Sequence, residues 1–169
     1  SRDDDGSPVA VLALDLDDFK MVNDNLGHPA GDELLIAVAK RLTGSVPDGQ
    51  AVARLGGDEF AILIQSAPRP VSEIAQDVIE AFDTPFTLQG EDVFIHPSVG
   101  LAIADSHDVS AEDLLQRADV ALYAAKRTGI GGVQTFTTSL QRESALSLSE
   151  RWSDSGRVRL SAGNGLQLL

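Results

Sequence analysis

The sequence predicts an α+β fold, in which helices pack on a largely antiparallel sheet. Short apolar runs that are typical of strands alternate with segments whose apolar residues recur at helical spacing. Two of the strand regions contain glycine turns short enough to join antiparallel neighbours. The chain has 169 residues, of which 43% are hydrophobic, so it can bury one core and is too apolar to be disordered. Mixed helices and hairpins of this kind favour the α+β class.

The first half of the chain predicts a strand, two helices and a hairpin. Residues 9–16 (VAVLALDL) are almost continuously apolar, which indicates a strand covered on both faces. A helical segment follows and stops at Gly27, with Pro29 just beyond. Asp32 then opens a second helix with one apolar face. The runs AVARL and FAILI predict paired strands that are joined through residues 56–59.

The second half predicts a helix, a hairpin, a helix and a closing strand. Helical spacing recurs over residues 74–82, and Gly90 marks a hairpin. Alternation over residues 93–103 predicts a half-buried strand, in which Pro97 indicates a bulge or an unpaired amide. A last core helix is predicted to end near Lys126, and VQTF is predicted to form a short closing strand.

The charge and composition exclude several classes of partner. The formal net charge is −13, so we expect no nucleic-acid binding and no contact of this segment with a membrane surface. No apolar run approaches the length of a membrane span, and no signal peptide is visible. The absence of cysteine fits a cytoplasmic protein. Because the chain begins with serine, we expect it to be a piece of a longer protein.

Two clusters of acids fall at predicted strand ends. Asp15, Asp17 and Asp18 close the first strand, and Asp58 and Glu59 lie in the first hairpin. If these strands are neighbours, two carboxylates converge, and a divalent cation such as Mg²⁺ would relieve their repulsion. The alternative is that both clusters are solvated turns. The sequence has no glycine-rich phosphate loop and no Ser–His–Asp pattern, so the acids are the candidate site.

Several segments together resemble the GGDEF-domain diguanylate cyclases. The signature Gly-Gly-Asp-Glu-Phe occupies residues 56–60. LDLDDFKMVNDNLGHPAGDELL upstream, and PSVGLA and LLQRADVALYAAKRTG downstream, are similar to further segments of that family. The resemblance covers about residues 9–136, in the expected order. It implies a sheet flanked by helices like the palm of nucleotide cyclases and polymerases, with a ferredoxin-like core.

The resemblance implies an activity and a metal site. The family joins two GTP molecules into cyclic di-GMP, with one GTP on each protomer of a two-fold homodimer. Asp15, the Leu16 carbonyl and Asp58 would bind Mg²⁺, or alternatively Mn²⁺. Glu59 would lie beside the metal or the attacking hydroxyl, so Asp58 and Glu59 are the implied catalytic residues. The alternative for Leu16 is simple packing.

The resemblance also implies how GTP is held. Six residues would contact the nucleotide: Asn23, Asp32, Asp18, Phe19, Lys126 and Lys20. The backbone amides near Asp18 and Phe19 would bind the terminal phosphates, and the two lysines would contact the outer phosphates. Asn23 and Asp32 would recognise guanine, because an aspartate accepts hydrogen bonds from the ring N–H and the exocyclic amine. The alternative is that these residues have structural roles: Asn23 caps a helix turn, Asp32 is a helix N-cap and Phe19 packs in the core.

The sequence departs from the family pattern at two places. Ile130 stands where the family commonly has an arginine for the β- and γ-phosphates, so we expect weaker GTP binding or slower turnover. Many members also bind their product through an Arg-x-x-Asp motif five residues before the signature. Pro47 and Gln50 occupy those positions, so we expect no tight product binding there.

The predicted organisation is a polar leader (1–8), a GGDEF domain (9–136) and a tail or connector (137–169). FTTSLQRESAL is similar to the helix that leads from GGDEF domains into EAL-type phosphodiesterase domains, so an adjacent EAL-type domain is a possible partner. The sequence therefore predicts a diguanylate cyclase domain. The alternative is a catalytically weak, GTP-binding module that regulates an adjacent phosphodiesterase domain.

Overall fold

The computed structural model describes residues 9–106, 108–128 and 132–137, together with the backbone of 167–168. The helices are α1 (Phe19–Leu26), α2 (His28–Ser45), α3 (Val71–Glu80) and α4 (Ala111–Thr128), and a 3₁₀ turn (Ala81–Asp83) follows α3. The strands are β1 (Ala10–Leu16), β2 (Ala51–Gly56), β3 (Glu59–Ile64), β4 (Phe86–Leu88), β5 (Glu91–Val93), β6 (Pro97–Ile103), β7 (Gly132–Thr135) and β8 (Gln167–Leu168).

A six-stranded sheet forms the centre, in the order β7-β6-β1-β3-β2-β8. Its pairings are antiparallel except for β6 with β7. Strands β4 and β5 form a separate two-stranded sheet around the predicted turn at Gly90. The prediction of an α+β fold with a largely antiparallel sheet is therefore confirmed.

Both faces of β1 are buried, as its continuous apolar run predicted. Leu12 and Leu14 belong to the larger core, which includes the buried residues of α2 and α3. Val11 and Ala13 point to the other face, where they join the buried side chains of α4. The alternation of side chains along a strand means that Asp15 lies on the face of Ala13, towards α4.

Helix α4 approaches the sheet closely because β6 carries a glycine. A Cβ on Gly100 would overlap with the backbone of Ala118 and Leu122. Gly100 pairs with Ala13 of β1, near the middle of both strands. The glycine therefore sets the distance at which α4, with any functional side chain on it, lies above β1.

Two predicted details were wrong, and one alternative of a third is excluded. Helix α2 begins at His28, with Gly27 as its N-cap and Pro29 in its first turn, so Asp32 neither opens nor caps the helix. Strand β6 is buried on both faces as far as Ala102, because α4 covers the second face, and is not half-buried. Pro97 starts β6 opposite Leu16 in a continuous register, which excludes the predicted bulge and leaves the other alternative, a position without a paired amide.

None of the helices among the described residues is long and apolar enough to cross a bilayer. The predicted polar leader, Ile130 and most of the proposed connector lie outside the described residues. The C-terminal strand β8 was not predicted, and it pairs with Ala53 and Arg54 at the β2 edge of the sheet.

Candidate active site

The signature forms the turn of the β2–β3 hairpin. Gly56 and Gly57 have φ angles of 147° and 52°, which residues with a Cβ rarely adopt. The register shifts between Arg54 and Gly56, and the Arg54 Nε donates a hydrogen bond of 3.0 Å to the Gly57 carbonyl. The double glycine and this arginine therefore fix the shape of the turn that presents Asp58.

Asp15 and Asp58 converge at this end of the sheet. Asp15 is only 5% exposed, at the end of β1, and the Leu16 amide donates to the Asp58 carbonyl at 3.3 Å. Burial raises the pKa of Asp58 to about 7, and the adjacent Asp15 carboxyl adds to that shift because the two groups can share a proton. The predicted convergence of carboxylates from the two strands is present.

The carboxylate pair fits a cation. Lys126 of α4 contacts Asp15 Oδ2, whereas Asp15 Oδ1 is buried and accepts no hydrogen bond from the described part of the chain. A buried carboxylate oxygen without a donor is costly unless a cation or a proton neutralises it. No group of three or more acidic or histidine side chains among the described residues forms a metal cluster. Two carboxylates and a carbonyl suit Mg²⁺, which retains waters and takes phosphate oxygens as ligands.

Lys126, which was predicted to contact the outer phosphates, forms an ion pair with Asp15. Its side chain is 44% exposed, so the amine lies where the buried carboxylate meets solvent. The contact brings α4 and β1 together at the candidate site, while the phosphate role stays a prediction.

Glu59 lies directly opposite Asp15 in the β1–β3 register, so both side chains lie on the face towards α4. On α4, burial raises the pKa of Asp119 to about 7, and the Glu59 charge contributes in the same direction. Asp119 was not singled out from the sequence. The sequence feature that could have identified it is an acid directly beside Ala118, which is buried on the helix that covers β1.

The β1–α1 turn carries three of the predicted nucleotide contacts. Asp18 adopts a left-handed conformation, with φ 62° and ψ 22°, before α1 starts at Phe19. Phe19 packs partly against the core, and Lys20 is exposed in the first turn of α1. The first amides of a helix lack intrahelical partners and can bind an anion. The turn is therefore compatible with the predicted phosphate contacts, which no bound group tests.

The Asn23 side chain of α1 packs against α2 at Gly31, the residue before Asp32. A Cβ on Gly31 would overlap with the Asn23 side-chain oxygen, so the glycine admits this side chain against α2. Asp32 is the next residue along α2 and is exposed. The two side chains predicted to recognise guanine thus come from neighbouring positions, although nothing in the structure tests that role.

Asp17 and Ser98 form a polar contact that the sequence analysis missed. Ser98, on β6, is 3% exposed, and its hydroxyl donates to Asp17 Oδ1 at 2.8 Å. Burial raises the pKa of Asp17, and the Ser98 hydrogen bond opposes that rise. The sequence feature that could have indicated this contact is the serine that follows Pro97 in the otherwise apolar β6.

Gln50, at one of the two substituted product-site positions, lies just before β2 and bonds to the two residues that follow β3. Its side-chain nitrogen donates to the Ser66 carbonyl, and its oxygen accepts from the Gln65 amide, both at 2.8 Å. The side chain thus stabilises the end of the β2–β3 hairpin. The absence of tight product binding at Pro47 and Gln50 stays a prediction.

Comparison with known proteins agrees with this geometry. Residues 1–131 match the family model described as diguanylate cyclase, GGDEF domain. The chain is 37% identical to the signaling protein YkoW of Bacillus subtilis over 145 residues, which are 84% of this chain and 18% of YkoW. It is 38% identical over 137 residues to MucR of Pseudomonas aeruginosa, named as a bifunctional diguanylate cyclase/cyclic di-GMP phosphodiesterase, covering 80% of this chain and 20% of MucR.

Among solved structures, the GGDEF domain of TpbB from Pseudomonas aeruginosa superimposes with a TM-score of 0.74 at 37% identity, covering 80% of this chain and 81% of that one. The chain spans about a fifth of the length of YkoW and MucR, so it corresponds to one region of much longer proteins. The match to the family model, these identities and the shared fold agree, and the chain belongs to the GGDEF-domain family of diguanylate cyclases.

Proposed function

We propose that this domain is a diguanylate cyclase, which condenses two GTP molecules into cyclic di-GMP and releases pyrophosphate. The observation that carries the proposal is the Asp15–Asp58 pair, in which one buried carboxylate oxygen accepts no hydrogen bond from the described residues. Such a pair is unfavourable as a purely structural feature and favourable as a site for a cation with phosphate ligands.

Asp15, Asp58 and the Leu16 carbonyl would hold the metal, for which we propose Mg²⁺, with Mn²⁺ as an alternative. When bound, the ion supplies positive charge that stabilises the negative charge developing on the transferred phosphoryl group. Lys126 contacts Asp15 at the solvent side of the carboxylate pair. Once Asp15 is neutralised by a metal ion, the Lys126 amine can bind a phosphate oxygen in its place.

The protein groups around this pair fit the remaining steps. The amides of the β1–α1 turn would hold the terminal phosphates, while Asn23 and Asp32 would hydrogen-bond guanine. In the reaction, the 3′-hydroxyl oxygen of one GTP forms a bond to the α-phosphorus of the other. The bond from that phosphorus to pyrophosphate breaks, and the hydroxyl proton passes to a base. Glu59, beside Asp15 in the register, is the proposed residue at this hydroxyl.

The reaction needs two protomers because each domain binds one GTP. We propose a two-fold homodimer that brings two such sites face to face. The 3′-hydroxyl of each nucleotide then reaches the α-phosphate of the other. We further propose a cytoplasmic location, with which the absence of cysteine is consistent.

A second candidate is a catalytically weak GTP-binding module that regulates an adjacent EAL-type phosphodiesterase. Weak catalysis is favoured by Ile130, which stands where the resemblance implies a phosphate-binding arginine. An adjacent phosphodiesterase is favoured by the relative MucR, whose name includes that activity. In this proposal, residues 1–8 are a leader, 9–136 the domain and 137–169 the connector. Ile130→Arg is expected to increase GTP affinity in a titration with Mg²⁺, and an unchanged affinity would contradict the role given to this position.

Product formation separates the two candidates. The protein is incubated with GTP and Mg²⁺ at high concentration, and cyclic di-GMP is measured. Product that disappears in Glu59→Ala supports the cyclase. GTP binding without product, in a protein held as a dimer by a fused dimerisation segment, supports the regulatory module. The fused dimer is the necessary control, because a monomer would be inactive whichever proposal is correct.

A further inference from the structure

A contact between β6 and the end of β1 holds the backbone on which the proposed metal ligands lie. Asp17 forms hydrogen bonds to Ser98 of β6 and to His96, the residue that precedes β6. Its amide donates to the His96 carbonyl at 2.9 Å, and its carboxylate accepts from the Ser98 hydroxyl at 2.8 Å. The first bond is available to any residue with an amide, whereas the second requires a donor at 98 and an acceptor at 17.

The amide contact determines where the Leu16 carbonyl points. In a trans peptide, the C=O of one residue and the N–H of the next point in opposite directions. The Asp17 N–H points to β6, so the Leu16 C=O points away from β6, towards β3 and the signature turn that carries Asp58. The Leu16 amide, which donates to the Asp58 carbonyl at 3.3 Å, faces the same side.

The side-chain contact adds a second hydrogen bond beside this peptide. Ser98 is opposite Asp15 in the β1–β6 register, and it is 3% exposed, so its hydroxyl is held in place by packing. The next residue, Asp18, is left-handed, a conformation that aspartate tolerates better than most residues with a Cβ. The Ser98–Asp17 hydrogen bond lies immediately before this turn.

We propose that Ser98 and Asp17 are positioning residues, whose hydrogen bond orients the Leu16 carbonyl and the Asp15 carboxylate for a divalent cation and its nucleotide. This inference rests on the proposed function of the Asp15–Asp58 pair. It assigns to Ser98 and Asp17 a role that acts through their neighbours, since neither needs to contact the metal or GTP.

The test measures binding of 3′-deoxy-GTP, which lacks the attacking hydroxyl, by calorimetry over a series of Mg²⁺ concentrations. Ser98→Ala removes the donor and is expected to weaken binding by about tenfold and to raise the Mg²⁺ concentration needed for half-saturation. Asp17→Ala should show the same defect. Asp17→Asn, which keeps the acceptor oxygen, should lose less nucleotide affinity than Asp17→Ala. This comparison of the two Asp17 variants tests the proposal even if Ser98→Ala does not fold.

Thr87→Val is the matched control. It removes a hydroxyl that donates to Asp92 at 3.0 Å in the β4–β5 hairpin, an exposed hydroxyl–carboxylate contact on a different sheet. It should leave nucleotide binding and the Mg²⁺ requirement unchanged, even if thermal stability falls. Folding of every variant is checked by circular dichroism and thermal unfolding.

The outcomes distinguish this inference from the proposed function. If wild type binds Mg²⁺ and 3′-deoxy-GTP and the folded Ser98→Ala and Asp17→Ala variants bind as tightly, the positioning role is wrong while the proposed function stands. Equal losses in Asp17→Asn and Asp17→Ala would also overturn it, because charge rather than the hydrogen bond would then matter. If wild type binds no Mg²⁺–nucleotide, the proposed function fails and the inference fails with it.

Discussion

At the scale of single residues, the candidate site has more negative than positive groups. Asp15, Asp58 and Glu59 meet where β1 ends and β3 begins, and Lys126 contacts the Asp15 carboxylate. Burial strengthens the repulsion, as the raised pKa of Asp58 indicates. A site of this kind is stabilised by a bound divalent cation and destabilised by its removal.

The first prediction concerns Asp58→Asn. In EDTA above pH 7, the variant should melt about 2–4 °C higher than wild type, because it removes the charge of the half-buried Asp58 beside the buried Asp15. Mg²⁺ should raise the melting temperature of wild type and leave that of the variant nearly unchanged. Thermal unfolding measures both effects. Asp83→Asn, at an exposed acid far from the pair in the chain, is the control. A variant that melts lower than wild type in EDTA would contradict the unfavourable pairing.

The second prediction concerns Asp119, whose pKa rises from its ordinary 3.8 to about 7, chiefly through burial. A carboxyl with a higher pKa in the folded state binds protons more tightly when folded. Between these two pH values, the free energy of unfolding therefore decreases as pH rises. Asp119→Asn should flatten that part of the pH profile, and Asp17 and Asp58, which are shifted in the same direction, should retain part of the slope.

Urea unfolding at several pH values in EDTA tests the second prediction. Glu112→Gln, which removes an exposed acid from the first turn of the same helix, is the matched control. If Asp119→Asn shows the same pH slope as wild type, Asp119 does not titrate in this range, and its closeness to Glu59 has no electrostatic consequence.

At the scale of secondary structure elements, helices hold the site residues in register with the sheet. Arg41 of α2 shows how one side chain joins elements: its guanidinium donates to the carbonyls of Ala81, Thr84 and Pro85 and lies 3.6 Å from the Phe86 ring centroid. These contacts fix α2 to the turn after α3. On the other face of the sheet, the close packing of α4 on β6 holds the helix in place.

The third prediction compares two glycines. Gly100→Ala should lower the free energy of unfolding by about 1–3 kcal/mol, because the added Cβ overlaps with the α4 backbone. It should also displace α4, and with it Lys126, from β1. Gly44→Ala adds the same atom to α2 where nothing lies within 4 Å, and should stabilise the protein by up to about 1 kcal/mol. Chemical denaturation measures both. Equal effects of the two substitutions would contradict the close contact of α4 with β6.

Particular elements show how far the sequence predicts the structure. The apolar run of β1 and the glycine turn of the first hairpin predicted their strands, because burial on both faces and positive φ angles leave strong local signals. The start of α2 was misjudged because Pro29 suits the first turn of a helix as well as a break. The prediction that β6 is half-buried was wrong, because the alternation of side chains along a strand does not show whether a helix will cover its second face.

The same limit applies to the site. Asp15 and Asp58 lie at strand ends in a recognisable pattern, so the sequence predicted that they would meet. Ser98 and Asp119 come from β6 and α4, and their relation to the site depends on tertiary packing that no local spacing encodes. Lys126 was singled out, but its contact with Asp15 could be seen only with α4 in place on the sheet.

At the scale of the whole molecule, the proposed activity depends on association. The net charge of −13 opposes the approach of two copies and of GTP, so bound Mg²⁺ should favour both steps. A domain that binds one nucleotide can complete the reaction only when a second copy brings another. The rate of product formation per protomer should therefore rise with protein concentration until the dimer is saturated.

The most direct test of the central claim is the rate of cyclic di-GMP formation from GTP and Mg²⁺, measured over a range of protein concentrations. We predict that the rate rises more steeply than in proportion to concentration at the low end of the range, and that Asp58→Asn forms at least about 100-fold less product under the same conditions. Wild type that binds GTP but forms no product at any concentration, even as a fused dimer, would contradict the claim.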